Sequence, residues 1–260
     1  MKVVLTTKPR KNPRIPVEAE LLIPESFLDP SGAEELTVWE GNRERGLSDL
    51  FDIHVEGGAE KAEEVQLVVR GDTGTLKRVG ERMTGGRILI EGDIGMHCGN
   101  LMKGGTIEIA GNADAWLGRE MLGGEIRCRG NANHYLASGY RGEKFGMKGG
   151  VVEVFGNAGD YTAEYLSGGK VIVHGNAGDL PGIEMAAGTL VIMGDCRRAC
   201  GNMTGGEVYI HGTVHQMLPT FRKVGEKVMG EPPAPYSIFT GDIANRGKGT
   251  IFIRNYQYLL

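Results

Sequence analysis

The sequence predicts an all-β protein: a right-handed parallel β-helix, or solenoid, with coils of about nineteen residues, capped by non-repeating N- and C-terminal segments. Three observations carry this reading. A Gly doublet recurs from Met83 to Thr213, its second glycine falling at Gly86, Gly105, Gly124, Gly150, Gly169, Gly188 and Gly206, an even spacing with one long step between Gly124 and Gly150. After each doublet come five residues whose second and fourth are apolar, the period of a strand with one buried face. A further glycine then closes the unit (Gly92, Gly111, Gly130, Gly156, Gly175, Gly194, Gly212), followed by Asn or Asp in all but the last. So regular a repeat is read as an array before any motif inside it is trusted.

The predicted buried column runs Ile88 and Ile90, Ile107 and Ile109, Ile126 and Cys128, Val152 and Val154, Val171 and Val173, Leu190 and Ile192, Val208 and Ile210. No helical run fits within a unit that carries four or more turn-forming glycines. A chain that repeats strand and turn while burying the same side stacks its strands in parallel. At roughly 3.3 Å per residue one coil has a perimeter of roughly 60 Å, narrow enough for side chains to fill. Both glycine sites are read as corners where φ turns positive. Asp93, Asn112, Asn131, Asn157, Asn176 and Asp195 follow one corner, where stacked amides can hydrogen-bond from coil to coil. Small residues come next: Ala113, Ala132, Ala158, Ala177 and Cys196. Right-handedness follows from the general rule for parallel crossovers.

Residues 1–64 lack the repeat and are predicted to cap the first coil, which otherwise exposes an open sheet edge; Trp39 and Phe51 are the expected anchors. The segment Val65–Asp72 matches strand and corner and opens the repeat domain, 65–213. The long step holds an insertion in the stretch from His134 to Gly146, and an insertion at a solenoid corner forms a loop on one face, often the working one. Residues 214–260 form a C-terminal cap with one last coil, Gly249-Thr-Ile251-Phe-Ile253.

Chemistry is sparse. The net charge of −4, with no basic cluster beyond Lys8-Pro9-Arg10-Lys11, argues against nucleic acid. No apolar run approaches the roughly 18 residues of a membrane span and the N-terminus does not resemble a signal peptide, so a cytoplasmic protein without membrane contact is expected. Cys98, Cys128, Cys196 and Cys200 read as buried thiols. Gly156-Asn-Ala-Gly159 looks like a phosphate loop but lacks a following helix. His174 and His211 lie two coils apart, too far to share a metal. The middle outward column, Leu89, Glu108, Arg127, Glu153, Ile172, Val191 and Tyr209, sets Glu108 and Glu153 about Arg127 as a neutralising ladder and offers no acid pair. No catalytic, cofactor-binding or metal-binding residue is therefore expected. The candidate interface residues are Tyr140, Arg141 and Glu143 on the insertion, and an apolar strip of Phe155, Ile172, Val191, Met193 and Tyr209. Either a partner subunit or a terminal segment of the same chain covers that strip.

The Met-x-Gly-Gly repeats ending in Gly-Asn-Ala-Gly-Asp (Gly156 to Asp160, Gly175 to Asp179), the insertion Tyr140-Arg141-Gly142-Glu143 with Gly146-Met147, Leu218-Pro219-Thr220-Phe221 and the leader with Leu50-Phe51 resemble the C subunit of formylmethanofuran dehydrogenase. The repeats are also similar, more loosely, to the C-terminal β-helical domain of the large subunit of glutamate synthase, and a detached domain of that type is the alternative. The first resemblance implies a complex that reduces carbon dioxide and fixes it on methanofuran as formylmethanofuran, the first step of methanogenesis from carbon dioxide. It implies amidohydrolase-like, metallopterin-binding and iron-sulfur partners that hold the tungsto- or molybdopterin, the iron-sulfur clusters and the zinc. This chain would be their scaffold.

Overall fold

Two sheets account for the strands of the computed structural model, which describes residues 1–29, 32, 35–140 and 142–259. Strands β1 (Lys2–Thr7), β2 (Val17–Glu18), β3 (Thr37–Glu40) and β4 (Arg43–Gly46) precede a one-turn helix, α1 (Leu47–Leu50), and β5 (Phe51–Glu56). Next come β6 (Gln66–Arg70) and β7 (Leu76–Lys77), then the strands of the repeats: β8 (Arg87–Ile90), β9 (Thr106–Ile109), β10 (Glu125–Cys128), β11 (Val151–Val154), β12 (Ser167–Val173), β13 (Ala187–Ile192), β14 (Cys196–Arg197) and β15 (Glu207–Met217). The chain closes with β16 (Arg222–Met229), β17 (Ala234–Gly241) and β18 (Gly249–Tyr258). The protein is mostly β, as the periodicity predicts.

The larger sheet runs β16-β17-β18-β15-β13-β12-β11-β10-β9-β8-β6-β1-β5, with β14 beside β15. Every pairing from β1 to β18 along it is parallel, and only β5 at one end and the β16–β17 hairpin at the other run antiparallel. Register follows the apolar pattern: Leu67, Ile88, Ile107, Ile126, Val152, Val171, Leu190, Val208 and Ile251 lie opposite one another in succession, and all are buried. A slip of one residue in any strand would turn its aliphatic pair to solvent. Ile94 and the small residues Ala113, Ala132, Ala158 and Ala177 form a second parallel ladder, while Cys196 pairs with Val214.

The two glycine sites do different jobs. The second glycine of each doublet is left-handed, with φ of +82° at Gly105 and +84° at Gly124, as expected. It also leaves room for the methionine of the preceding repeat: a Cβ on Gly105 would stand 2.5 Å from Met83 Cε, on Gly124 2.7 Å from Met102, on Gly150 2.7 Å from Met121 and on Gly169 2.7 Å from Met147. The closing glycines, from Gly92 to Gly194, are not left-handed. Their requirement is close approach instead, since a Cβ on Gly156 would meet Asn131 Oδ1 at 2.5 Å and Gly130 O at 2.7 Å.

The asparagine column is a ladder from side chain to backbone more than a stack of amides. Asn131 N donates to Asn112 Oδ1 (2.9 Å), Asn157 N to Asn131 Oδ1, Asn176 N to Asn157 Oδ1 and Asp195 N to Asn176 Oδ1 (each 2.8 Å). Along this column, side-chain amides donate to the neighbouring side chain only at Asn112 and Asn131 among the described residues. All the ladder asks of a member is an acceptor oxygen, which is why Asp93 and Asp195 serve at its ends.

At the N-terminal end Phe51 is buried, but Trp39 is not the anchor expected of it, being 49% exposed. Alternation along β3 turns Val38 inward and Trp39 outward. A second sheet, β4-β3-β2-β7, packs there.

Candidate docking faces

The outer surface of the main sheet carries the apolar strip. Register sets Ile172, Val191, Tyr209 and Phe252 opposite one another on β12, β13, β15 and β18, and the Tyr209 and Phe252 rings stack at 4.7 Å. Phe252 thus extends the column by one strand beyond the residues expected. In the next outward column the Phe155 ring stacks on His174 at 4.8 Å, with the Arg129 guanidinium 4.5 Å from its centre. Phe155 and Met193 are 36% and 44% exposed. The C-terminal hairpin does not fold back over them: β17 and β16 continue the sheet edgewise beyond β18.

Charge pairing on the same face departs from expectation. Glu108 bonds Arg87 at 2.7 Å and leaves Arg127 to Glu125 (2.7 Å) and Glu153 (3.8 Å). The outcome is still neutralisation, with Glu153 also held by His174 at 2.8 Å. His211 has a partner of its own, its Nδ1 meeting Tyr236 Oη at 2.6 Å. Burial holds His211 below the usual histidine range.

The insertion lies on a different wall. Tyr140, 45% exposed, packs its ring against His97 and Trp116 (6.3 and 6.0 Å) and lies under the Arg119 guanidinium at 4.8 Å. Its backbone N–H donates to Glu120 Oε1 (3.0 Å), and Glu143 N donates to Tyr140 O (2.9 Å). Glu143 is exposed; Arg141 lies outside the described residues. The structure therefore does not join Tyr140 and Glu143 to the strip.

Beneath Tyr140 runs a feature that reading the strand columns misses. His97, Trp116, Tyr135 and Tyr161 stack ring on ring at 5.1, 4.8 and 5.1 Å, with planes within 17°, 5° and 8°. All four are left-handed, with φ of 64°, 60°, 62° and 59°. Such a φ costs roughly 1–3 kcal/mol per residue. It is offset by bonds between repeats that run alternately to either neighbour: His97 N to Ala115 O, Gly99 N to Val79 O, Leu101 N to Arg119 O. A sequence signal exists, because these aromatics keep a constant offset from Gly86, Gly105, Gly124 and Gly150, including across the long step. Burial and the nearby Arg119 lower the His97 pKa to about 4.

The four cysteines are free and buried, and burial pushes the Cys128 thiol up to about 11 and Cys196 to about 12. Among the described residues no group of three or more His, Cys, Asp or Glu could hold a metal ion, and no helix is long and apolar enough to cross a membrane.

No model of a known protein family matches the chain. Curated relatives do. The C subunit of the molybdenum-containing formylmethanofuran dehydrogenase 1 of Methanosarcina barkeri is 40% identical over 91 residues, 34% of this chain and 30% of that protein. Its counterpart in the tungsten-containing formylmethanofuran dehydrogenase 2 of Methanothermobacter thermautotrophicus is 39% identical over 99 residues, 37% of this chain and 36% of that protein. The matched stretch thus spans about a third of the length of these relatives. Among solved structures, a chain of the formyltransferase/hydrolase complex of Methylorubrum extorquens, in complex with methylofuran, superposes with a TM-score of 0.85 and 25% identity, covering 96% of this chain and 98% of that one. By sequence the chain is similar to the C subunit of formylmethanofuran dehydrogenase, of the molybdenum and the tungsten type alike, and by structure to a chain of a formyltransferase/hydrolase complex.

Proposed function

We propose that this chain is the non-catalytic platform subunit of a formylmethanofuran dehydrogenase complex, winding as a right-handed parallel β-helix over residues 65–213 with caps at 1–64 and 214–260. In-register parallel strands and the second ladder through Ala113 and Ala132 support the winding. The observation that carries the function is the 39–40% identity to the C subunits of molybdenum- and tungsten-containing formylmethanofuran dehydrogenases, and the near full-length likeness to a chain of a multi-subunit formyltransferase/hydrolase complex supports membership of a complex. The strip, with Phe155 and Met193 exposed and Ile172, Val191 and Tyr209 half-buried, and the neutralised charges of the outer sheet agree with a chain whose walls dock partners. Phe155, Ile172, Val191, Met193 and Tyr209 form one docking face, and the insertion that carries Tyr140 and Glu143 a second. Pterin, iron-sulfur clusters and zinc belong to the partners, and the complex works in the cytoplasm.

The same likeness favours a second reading, in which the complex transfers and hydrolyses the formyl group without reducing carbon dioxide. Isolation of the native complex decides. Partners carrying a metallopterin support the dehydrogenase; partners with formyltransferase and hydrolase activity but no metallopterin support the second reading. A chain that copurifies with nothing, and whose solubility and oligomeric state are unmoved by Ile172→Asp, overturns both.

A further inference from the structure

The basic cluster Lys8-Pro9-Arg10-Lys11 takes no part in the faces above, yet it folds into a cleft of about 390 Å³ whose lining includes Pro9, Arg10, Lys11, Arg43, Arg45 and Glu40. We propose that this cleft docks an acidic segment of a partner subunit. The inference rests on the platform reading and adds the chemistry of one partner.

Cations outnumber the acids that could neutralise them here. The Arg10 side chain is only 7% exposed: its Nη1 donates to Ile15 O (2.7 Å), its Nη2 to Pro13 O (2.9 Å) and Thr75 Oγ1 (2.5 Å), and it stands 3.7 Å from Glu40 and 3.9 Å from Asp72. Arg45 takes up the remaining acidity, reaching Glu40 at 3.1 Å and Asp49 at 3.3 Å. Lys8 does not line the cleft and is matched by Asp52 at 3.4 Å. Alternation along β4 sets Arg43 on the side of Arg45 and sends Glu44 to the other, where it accepts from Thr37 Oγ1 (2.8 Å). Both carboxylates lining the cleft are therefore committed, while Lys11 and Arg43 have no side-chain ion pair or hydrogen bond among the described residues. Asn12 Oδ1 is occupied by Arg14 N (3.2 Å), so its amide N–H groups remain as donors.

Two unmatched cations and a free amide beside apolar Pro9 and Ile15 suit carboxylate side chains carried on a peptide, and the volume lies within the roughly 300–1,000 Å³ of ligand-sized clefts. The cleft stands by β1 and β5, at the opposite end of the main sheet from the strip on β12 to β18. A platform with an apolar face at one end and a cationic cleft at the other holds two different partners apart.

The test measures fluorescence polarisation of a labelled peptide, acetyl-Asp-Glu-Leu-Asp-Glu-amide, titrated with the full chain. The expected result is saturable binding, weakened about tenfold or more by the exposed double reversal Lys11→Glu/Arg43→Glu, and weakened again as salt rises from 0.1 to 1 M and the Debye length falls from about 10 to about 3 Å. Arg82→Glu, at a separate cationic cleft, leaves binding unchanged. Equal binding by the double reversal overturns the proposal, as does inorganic phosphate displacing the peptide at equimolar concentration, the mark of a small-anion site. In the native complex the double reversal releases one partner and Ile172→Asp another. Absence of any partner from the wild-type preparation refutes the platform reading and leaves the peptide measurement to judge the cleft on its own.

Discussion

Replacing Gly124 with alanine tests the interlock that sets one repeat on the next. At φ +84° any L side chain costs about 1–2 kcal/mol. The new Cβ would also stand 2.7 Å from Met102 Cε and 2.8 Å from the Gly105 carbonyl, distances at which a buried neighbour or the backbone must shift, for another 1–3 kcal/mol or so. The expected loss is the sum of the two, about 2–5 kcal/mol. Gly142→Ala is the control, because Gly142 has a φ of +92° but nothing within 4 Å of its Cβ, so only the backbone cost, about 1–2 kcal/mol, applies. Met102→Ala by itself costs about 2–5 kcal/mol through the cavity it opens. In the double variant the clash with Met102 is gone while the φ and the Gly105 contact remain, so the pair should fall short of additivity by about 1 kcal/mol or more. Urea unfolding followed by circular dichroism reads these differences as midpoint shifts at constant slope. The interlock is refuted if Gly124→Ala costs no more than Gly142→Ala, or if the double variant is strictly additive.

Asn131→Ala leaves the Asn157 N–H without its acceptor and should cost about 1 kcal/mol, whereas Asn131→Asp keeps the oxygen and should cost less; thermal unfolding ranks them. His97, with its folded pKa lowered to about 4 from 6.5, favours the native state above pH 6.5, and that contribution is lost as pH falls from 6.5 towards 4 because the unfolded chain binds the proton first. His97→Gln should flatten the acid limb of the stability profile between those values; an unchanged limb would show that the histidine is not its source. The four buried thiols should stay inert to a disulfide reagent at pH 8 and all react once the chain is unfolded in denaturant. A thiol that reacts at once under native conditions contradicts the burial.

The part of the fold fixed by alternation was legible without coordinates. Ile107, Ile126 and Val152 lie opposite one another because period two allows one burial solution per strand, and the Gly doublet sets each strand at the same offset even where the long step intervenes. Partner choice among exposed charges was not legible: a column places Glu108 beside Arg127, but Arg87 reaches it instead, since register fixes Cα positions and not the direction of a long side chain. Trp39 misled through its size, because alternation along β3 outweighs bulk. The ring ladder of His97, Trp116, Tyr135 and Tyr161 escaped for a different reason. Nothing in the intrinsic preference of Trp or Tyr favours positive φ, and only the neighbouring repeats, hydrogen-bonding alternate amides in opposite directions, hold them there.

That ladder explains how the insertion can be added without disturbing the stack. Gly139 N donates to Glu164 O and Gly146 N to Tyr165 O, so the following repeat grips both ends of the loop. Ser138 Oγ donates to Tyr161 O at 2.6 Å, and Met147 then rejoins the buried methionine column, donating to Ala137 O. The insertion is thus an excursion closed at its neck, with Tyr140 laid across a ready-made aromatic surface and clamped by Arg119. A repeating wall presents the same chemistry from one unit to the next, which suits stacking and cannot by itself define a single site. What sets one stretch of wall apart from the next is a change in the pattern, and among the described residues it changes at the N-terminal segment, at the pinned insertion, at the β16–β17 hairpin, and where charges on the outer column give way to Ile172, Val191 and Tyr209.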